Sequence, residues 1–180
     1  MGNKRYIKTV YKECVIRSGE DKWGEGEALF SKDMQYRYRL TRIWDESLFK
    51  VNFLLLNPSI ADETRLDPTV TRCMERARRL GAGVCEITNI FALISTDPKN
   101  LYREGDVIGR DNDKAIIVAA KSSELVIAGW GSHGDLNQRG LIVRSLLSSS
   151  NINLKCLRIL KNGQPQHPLY LPYECEVINY

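Results

Sequence analysis

From residue 51 onward, compact apolar runs alternate with amphipathic stretches. Val51 to Leu56, Val84 to Phe91, Leu125 to Trp130 and Leu154 to Leu160 have the length of buried strands. Between the first two, Asp67-Pro68 supplies an N-cap followed by proline at the first helical position, and Val70, Cys73, Met74, Ala77 and Leu80 recur at helical spacing until Gly81. A second helix is expected from near Asp111 to Lys121 with Ile116, Ile117 and Ala120 inward, and a third over about Leu136 to Leu147. The order β-α-β-α-β-α-β predicts an α/β fold with helices covering a largely parallel sheet. Residues 1–50 read differently. Met34, Tyr36, Tyr38, Leu40 and Ile43 suit an antiparallel hairpin or edge strand set on the core as a flap. No repeat or low-complexity tract divides the chain, so one domain over 1–180 is expected, with 1–50 as an N-terminal extension and 51–172 as the core.

A chain of 180 residues with 43% hydrophobic and 27% charged content can build a core without staples. Cys14, Cys73, Cys85, Cys156 and Cys175 are odd in number and form no CxxC pair, which argues against a disulfide framework or a zinc or iron–sulfur site. A cytoplasmic location and no cofactor are expected. The apolar runs are far shorter than the ~20 residues of a membrane helix, and no apolar segment follows the N-terminal lysines, so membrane and secretory readings fall away. The net charge of +4 is mild, but basic residues cluster. Arg37 and Arg39 stand near the front, and Arg72, Arg76 and Arg79 form a stripe on the opposite face of the first helix. Such groups can steer a polyanion or merely solvate a surface.

Ligands of parallel α/β sheets collect beyond the carboxyl ends of the strands. There the chain places Asn57-Pro58-Ser59, Asn89, Trp130-Gly131-Ser132-His133 and the segment from Asn162 to Leu169. Asn57 before proline is a turn former or a carboxamide able to hold a water, with Asp62 near enough to add a carboxylate; Asp67 is better used as a helix cap. Asn89 sits among apolar neighbours and must find partners, either backbone groups or the edge of a base. Trp130 is a core residue or a stacking platform, and Gly131 permits close backbone approach beside His133. His167, between polar residues and Pro168, is placed to donate to charge developing on a leaving group. No HxH or HxxxH spacing supports a metal site.

Together these segments resemble the uracil-DNA glycosylase superfamily, and more closely an uncharacterised bacterial and phage family, domain of unknown function 1643, over about residues 50–172. Asn57-Pro58-Ser59 looks like the first motif of the mismatch-specific branch, in which the asparagine positions the attacking water. Ile87-Thr88-Asn89 resembles the strand whose last residue reads the pyrimidine edge, with Phe91 beyond it as the stacking ring. Ile127 to Ser132 is similar to the apolar strand ending in Trp-Gly, and His167-Pro168-Leu169 looks like the His-Pro-Ser motif. Ser59 and Leu169 depart from that pattern. The resemblance implies a three-layer α/β/α sandwich around a mostly parallel four-stranded sheet, plus the N-terminal hairpin. It implies a metal-independent, monomeric DNA glycosylase for a damaged or modified base, hypermodified foreign DNA included. Asn57 and His167 would be catalytic. Pro58, Ser59, Asp62, Asn89, Phe91, Trp130, Gly131, His133 and Pro168 would meet the base, and Arg37, Arg39, Arg72, Arg76 and Arg79 the phosphates. A non-catalytic nucleic-acid or nucleotide binder and an enzyme of free nucleotides are the alternatives.

Overall fold

The computed structural model describes residues 11, 13–103 and 105–180; of the expected N-terminal extension, residues 1–10 and 12 lie outside the described residues. The strands are β1 (Cys14–Asp21), β2 (Gly24–Ser31), β3 (Arg37–Ile43), β4 (Lys50–Leu55), β5 (Val84–Asn89), β6 (Leu125–Ala128), β7 (Leu154–Cys156) and β8 (Ile178–Asn179), and the helices are α1 (Pro68–Arg79), α2 (Asn112–Lys121) and α3 (Arg139–Ser149). All eight strands join one mixed sheet in the order β1-β2-β3-β5-β4-β6-β7-β8. The pairs β5-β4, β4-β6 and β6-β7 are parallel. The pairs β1-β2, β2-β3, β3-β5 and β7-β8 are antiparallel.

The expected four-stranded sheet is therefore corrected to eight strands. Instead of lying as a flap, the front segment is a three-stranded meander whose β3 covers the outer edge of β5, from Leu40 opposite Ile87 to Ile43 opposite Val84. An uncovered edge strand would offer its N–H and C=O groups to any passing chain, and this pairing occupies them. At the other edge β8 covers β7.

Alternation along β4 sorts its side chains between the two faces. Val51, Phe53 and Leu55 cluster with Val70, Cys73, Met74 and Ala77 of α1. Leu54 and Leu56 cluster with Ile116 and Ala120 of α2 and with Val143 and Leu147 of α3. Among the described residues, one helix thus packs on one face and two on the other. The Asp67 carboxylate accepts from the Val70 N–H at 2.8 Å, capping the start of α1. Its end is a reversal at Gly81, φ 83°, closed by the Ala82 N–H donating to Ala77 at 2.9 Å. Leu80, expected inward, lies past the last turn and is exposed. In α2 the buried residues include Ala115, Ile116, Ala119 and Ala120, while Ile117 is half-buried. The third helix starts at Arg139 instead of Leu136, because Leu136 (ψ 120°) and Asn137 (φ 52°) break the helical path.

The parallel strands β5, β6 and β7 are also shorter than their apolar runs. The strand after Val84 stops at Asn89, so Ile90 and Phe91 enter the loop as core residues rather than as strand. Among the described residues no helix is long and apolar enough to cross a membrane.

Candidate functional site

Asn57 and His167, 110 positions apart in sequence, line one cavity of about 490 Å³ beyond the carboxyl ends of the parallel strands. Residues after β4 (Leu56, Asn57, Ser59) and after β6 (Trp130, Gly131, Ser132, His133) meet there, at the β4/β6 boundary from which the parallel strands run outward in both directions. That reversal of strand order is where such sheets leave a crevice. The loop after β5 contributes Ser95, Thr96 and Pro98, and the loop after β7 contributes Leu160, Gln166, His167, Leu169 and Tyr170.

The Asn57 carboxamide is fixed. Its Nδ2 donates to the Ser95 carbonyl at 2.8 Å and to the Pro58 carbonyl at 3.0 Å. Both N–H groups are used, which leaves Oδ1 as the acceptor. His167 is fixed as well. It precedes the short 3-10 turn Pro168–Tyr170, and its Nδ1 accepts from the Leu169 N–H at 3.3 Å. Nδ1 is thereby an acceptor and the ring proton belongs on Nε2. Burial pushes the imidazole down to about 4, against a smaller upward pull from Asp67, so at neutral pH it is an uncharged donor.

Gly131 adopts φ 72°, in the left-handed region that favours glycine. A Cβ built there would stand 3.8 Å from the His167 Cβ, so the backbone after β6 runs directly past the imidazole. Gly134 has a different reason. Its Cβ would fall 2.1 Å from the Trp130 ring. On the other side of the cavity, His133 Nδ1 is 2.9 Å from the Tyr102 hydroxyl.

Of the sequence-derived candidates, Asn57, Ser59, Trp130, Gly131, His133 and His167 reach the cavity wall. Trp130 does so as a core side chain, 1% exposed, with its indole N–H donating to Gln164 at 2.6 Å, and it offers no free face for stacking. Pro58 and Pro168 are buried beside the wall; the Pro58 carbonyl accepts from Asn57, and Pro168 packs on Gly129. Asp62 closes its own loop, its carboxylate accepting from the Thr64 and Arg65 N–H groups. Asn89 and Phe91 require correction. Both are buried outside the cavity lining, Phe91 among Leu54, Leu56 and Trp130, so neither side chain faces the cavity.

Of the arginines expected to meet phosphates, Arg37, Arg39 and Arg76 require correction because they are buried, while Arg72 is half-buried and Arg79 exposed. Arg37 is buried and donates to the Ala61 carbonyl at 2.5 Å, and Arg39 pairs with the buried Glu86. Arg76 is buried, donating to the carbonyls of Leu171 (2.8 Å), Pro172 (2.7 Å) and Tyr173 (3.3 Å). Arg72 donates to the Leu171 carbonyl at 2.7 Å and lies 4.0 Å from the Tyr173 ring centre. Arg79 pairs with Glu75 at 2.9 Å and packs 4.3 Å from the same ring. The stripe exists, but it clamps the 171–173 segment to α1. Arg76→Ala is accordingly expected to cost about 2–3 kcal/mol of stability by urea unfolding, because it removes hydrogen bonds from a charged donor to three carbonyls, that of Leu171 buried.

Sequence reasoning missed Thr69, Ser95, Thr96 and Pro98. The signal for the Ser95 loop was present. Asp97-Pro98 repeats the Asp67-Pro68 start pattern, and the Asp97 carboxylate accepts from the Lys99 N–H at 2.9 Å. Among the described residues no group of three or more His, Cys, Asp or Glu is arranged to hold a metal ion.

Fold and cavity define a mixed α/β protein with a histidine-bearing pocket of mixed polar and apolar lining at the carboxyl ends of its parallel strands. Residues 37–169 match the family described as protein of unknown function (DUF1643), and the chain belongs to that family. No curated protein and no solved structure matches the chain.

Proposed function

We propose that the protein is a DNA glycosylase-like enzyme that hydrolyses the N-glycosidic bond of a modified base. The observation that carries this reading is the convergence of Asn57 and His167 on one cavity, each held by backbone groups in the state the chemistry needs. Breaking the bond leaves its electron pair on the base and positive charge on the sugar. A neutral Nε2–H of His167 stabilises the departing base without a prior proton transfer, which matters because donors fixed beforehand cost no reorganisation. A water accepted by Asn57 Oδ1 bonds to the sugar carbon, and its surplus proton leaves to solvent or to the released base. The reading includes a uracil-DNA-glycosylase-like α/β/α sandwich built on the parallel quartet, and a monomer acting in the cytoplasm, where free cysteines persist.

Two features favour a modified base over a bare pyrimidine. A cavity of about 490 Å³ falls within the ~300–1,000 Å³ of pockets that take drug-sized ligands. Ser59, Thr69, Ser95, Thr96, Ser132 and Gln166 supply donors and acceptors for a polar substituent, whereas Asn89 and Phe91 lie outside.

The test is incubation of the intact protein with DNA carrying natural and modified pyrimidines, followed by alkali. Strand breaks at the modified positions are expected; intact strands across the panel would refute the reading, and release of base from free nucleotides alone would favour the free-nucleotide enzyme. The pH profile adds a second check. With His167 at about 4, activity is expected to stay flat through pH 6–7 and to fall only toward pH 4. A drop centred near 6.5 would mean an ordinary, solvated imidazole.

A further inference from the structure

We infer that the cavity mouth is built for a single DNA strand rather than a duplex, an inference that rests on the glycosylase reading for the base in the cavity but not for the strand around it. Tyr170 lines the opening, and Tyr102 stands behind the lining residue His133, its hydroxyl 2.9 Å from His133 Nδ1. Tyr102 is 55% and Tyr170 is 74% exposed. Each ring packs on one of the two cavity histidines: Tyr102 edge-on to His133 and Tyr170 tilted against His167, both at 5.8 Å between centres. They sit on the loops after β5 and β7, the outermost strands of the parallel quartet, with the loops after β4 and β6 between them. One ring therefore stands on either side of the pocket. A wedge that invades a duplex needs a single side chain to fill the one hole left by the extruded base. Two separated rings instead match the two neighbours of a base that has entered the pocket, and those neighbours are free to stack on protein only when they have no complementary strand.

The charges follow the same line. Lys99 and Arg103 flank Tyr102 along the chain, and Arg158 and Lys161 border the loop that carries Leu160 and Gln166. All four are exposed and none forms an ion pair with a carboxylate among the described residues. Among the described residues, the nearby carboxylates accept from other groups: Asp106 takes the Ile108 and Gly109 N–H groups. Asp97 accepts from the Lys99 N–H, and Asp135 accepts from Asn162 and Gln164. Unlike the buried Arg76 of α1, these cations leave their donors open among the described residues. Exposed aromatic rings interleaved with free cations around a base-sized opening are what an unpaired strand requires, with phosphates on the cations and bases on the rings. The extrusion cost that a duplex imposes is absent for such a strand.

The experiment is fluorescence anisotropy of the full chain with an unmodified single-stranded oligonucleotide and with the duplex of the same sequence, across a salt series. At least tenfold tighter binding to the single strand is expected. Tyr102→Ala and Tyr170→Ala should each weaken it about 5- to 50-fold, and Tyr170→Phe should restore it. The double variant Lys99→Ala, Lys161→Ala should reduce the slope of log K against log salt by about 0.7 for each cation removed. Equal or tighter duplex binding, or alanine variants that bind like the parent, would overturn the inference. Base release from duplex with no single-strand preference would sink this inference alone, whereas single-strand binding without base release from any substrate would sink the catalytic reading alone.

Discussion

Replacing His167 with alanine is expected to slow base release by about 10²–10³-fold, the usual loss when one donor to a developing anion is removed. Asn57→Ala should cause a loss of similar size through the misplaced water. The two substitutions act on opposite ends of the same breaking bond, so their double variant should fall short of the product of the single effects. Single-turnover release under saturating enzyme separates this from weaker binding. The kcat-like rate falls while the concentration giving half-maximal rate changes little, because neither group is needed to hold the strand. Neither variant should lose the fold. The Asn57 Nδ2 bonds to Ser95 and Pro58 are the larger structural loss, and they sit at the cavity edge where water can replace them.

Glu86→Ala is expected to destabilise the protein by about 3–5 kcal/mol, the cost of leaving buried cations without their partner. Glu86 is 0% exposed on β5 and pairs with Arg39 of β3 and, at 2.8 Å, with Lys50 of β4. It thus ties the antiparallel meander to the parallel quartet. Burial raises the carboxyl and the two cations lower it, and the cations win, so it stays charged in the folded chain. Its folded pKa lies below the unfolded value, so its contribution is complete above the unfolded pKa and fades as pH falls. Urea unfolding at pH 7 measures the loss. A Glu86→Ala protein as stable as the parent would show that the pair is replaceable. His167 has the same sign by a different route. It is half-buried and neutral, so stability should be highest above about 6.5 and decline as pH falls toward about 4, where the folded imidazole begins to take up its proton.

How far sequence reached depends on what kind of signal each element carries. Helix α1 was legible because its cap, its proline, its apolar spacing and its terminal glycine all agree. The cavity residues at 57, 131, 133 and 167 were legible for a topological reason: a polar residue that ends an apolar run marks the carboxyl end of a strand. Strands β1 and β8 were not. β1 reads CVIRSGED and buries none of its side chains fully, and β8 is two exposed residues paired to β7, with Lys155 donating to the Asn179 side chain. Sequence shows where charge is but not what lies beside it. Arg37, Arg39 and Arg76 read as surface cations until the Ala61 carbonyl, Glu86 and the 171–173 carbonyls are found against them. Phe91 misled in the same way, since its run continues apolar after the strand has stopped at Asn89.

The arginine clamp and the cavity mouth make separable claims about binding. Arg76→Ala should lower stability and leave DNA affinity unchanged, whereas substitutions at Lys99 and Lys161 should do the reverse. That contrast follows from donors already committed to carbonyls in one case and open to solvent in the other.

The most direct measurement is mass detection of the small molecule freed from a panel of DNAs bearing modified pyrimidines, run with the parent protein and with the Asn57→Ala and His167→Ala proteins. The account predicts a free base of intact mass from the parent and a signal reduced at least a hundredfold from each variant. Release of a nucleoside or nucleotide instead of a base, or release undiminished in both variants, would contradict it.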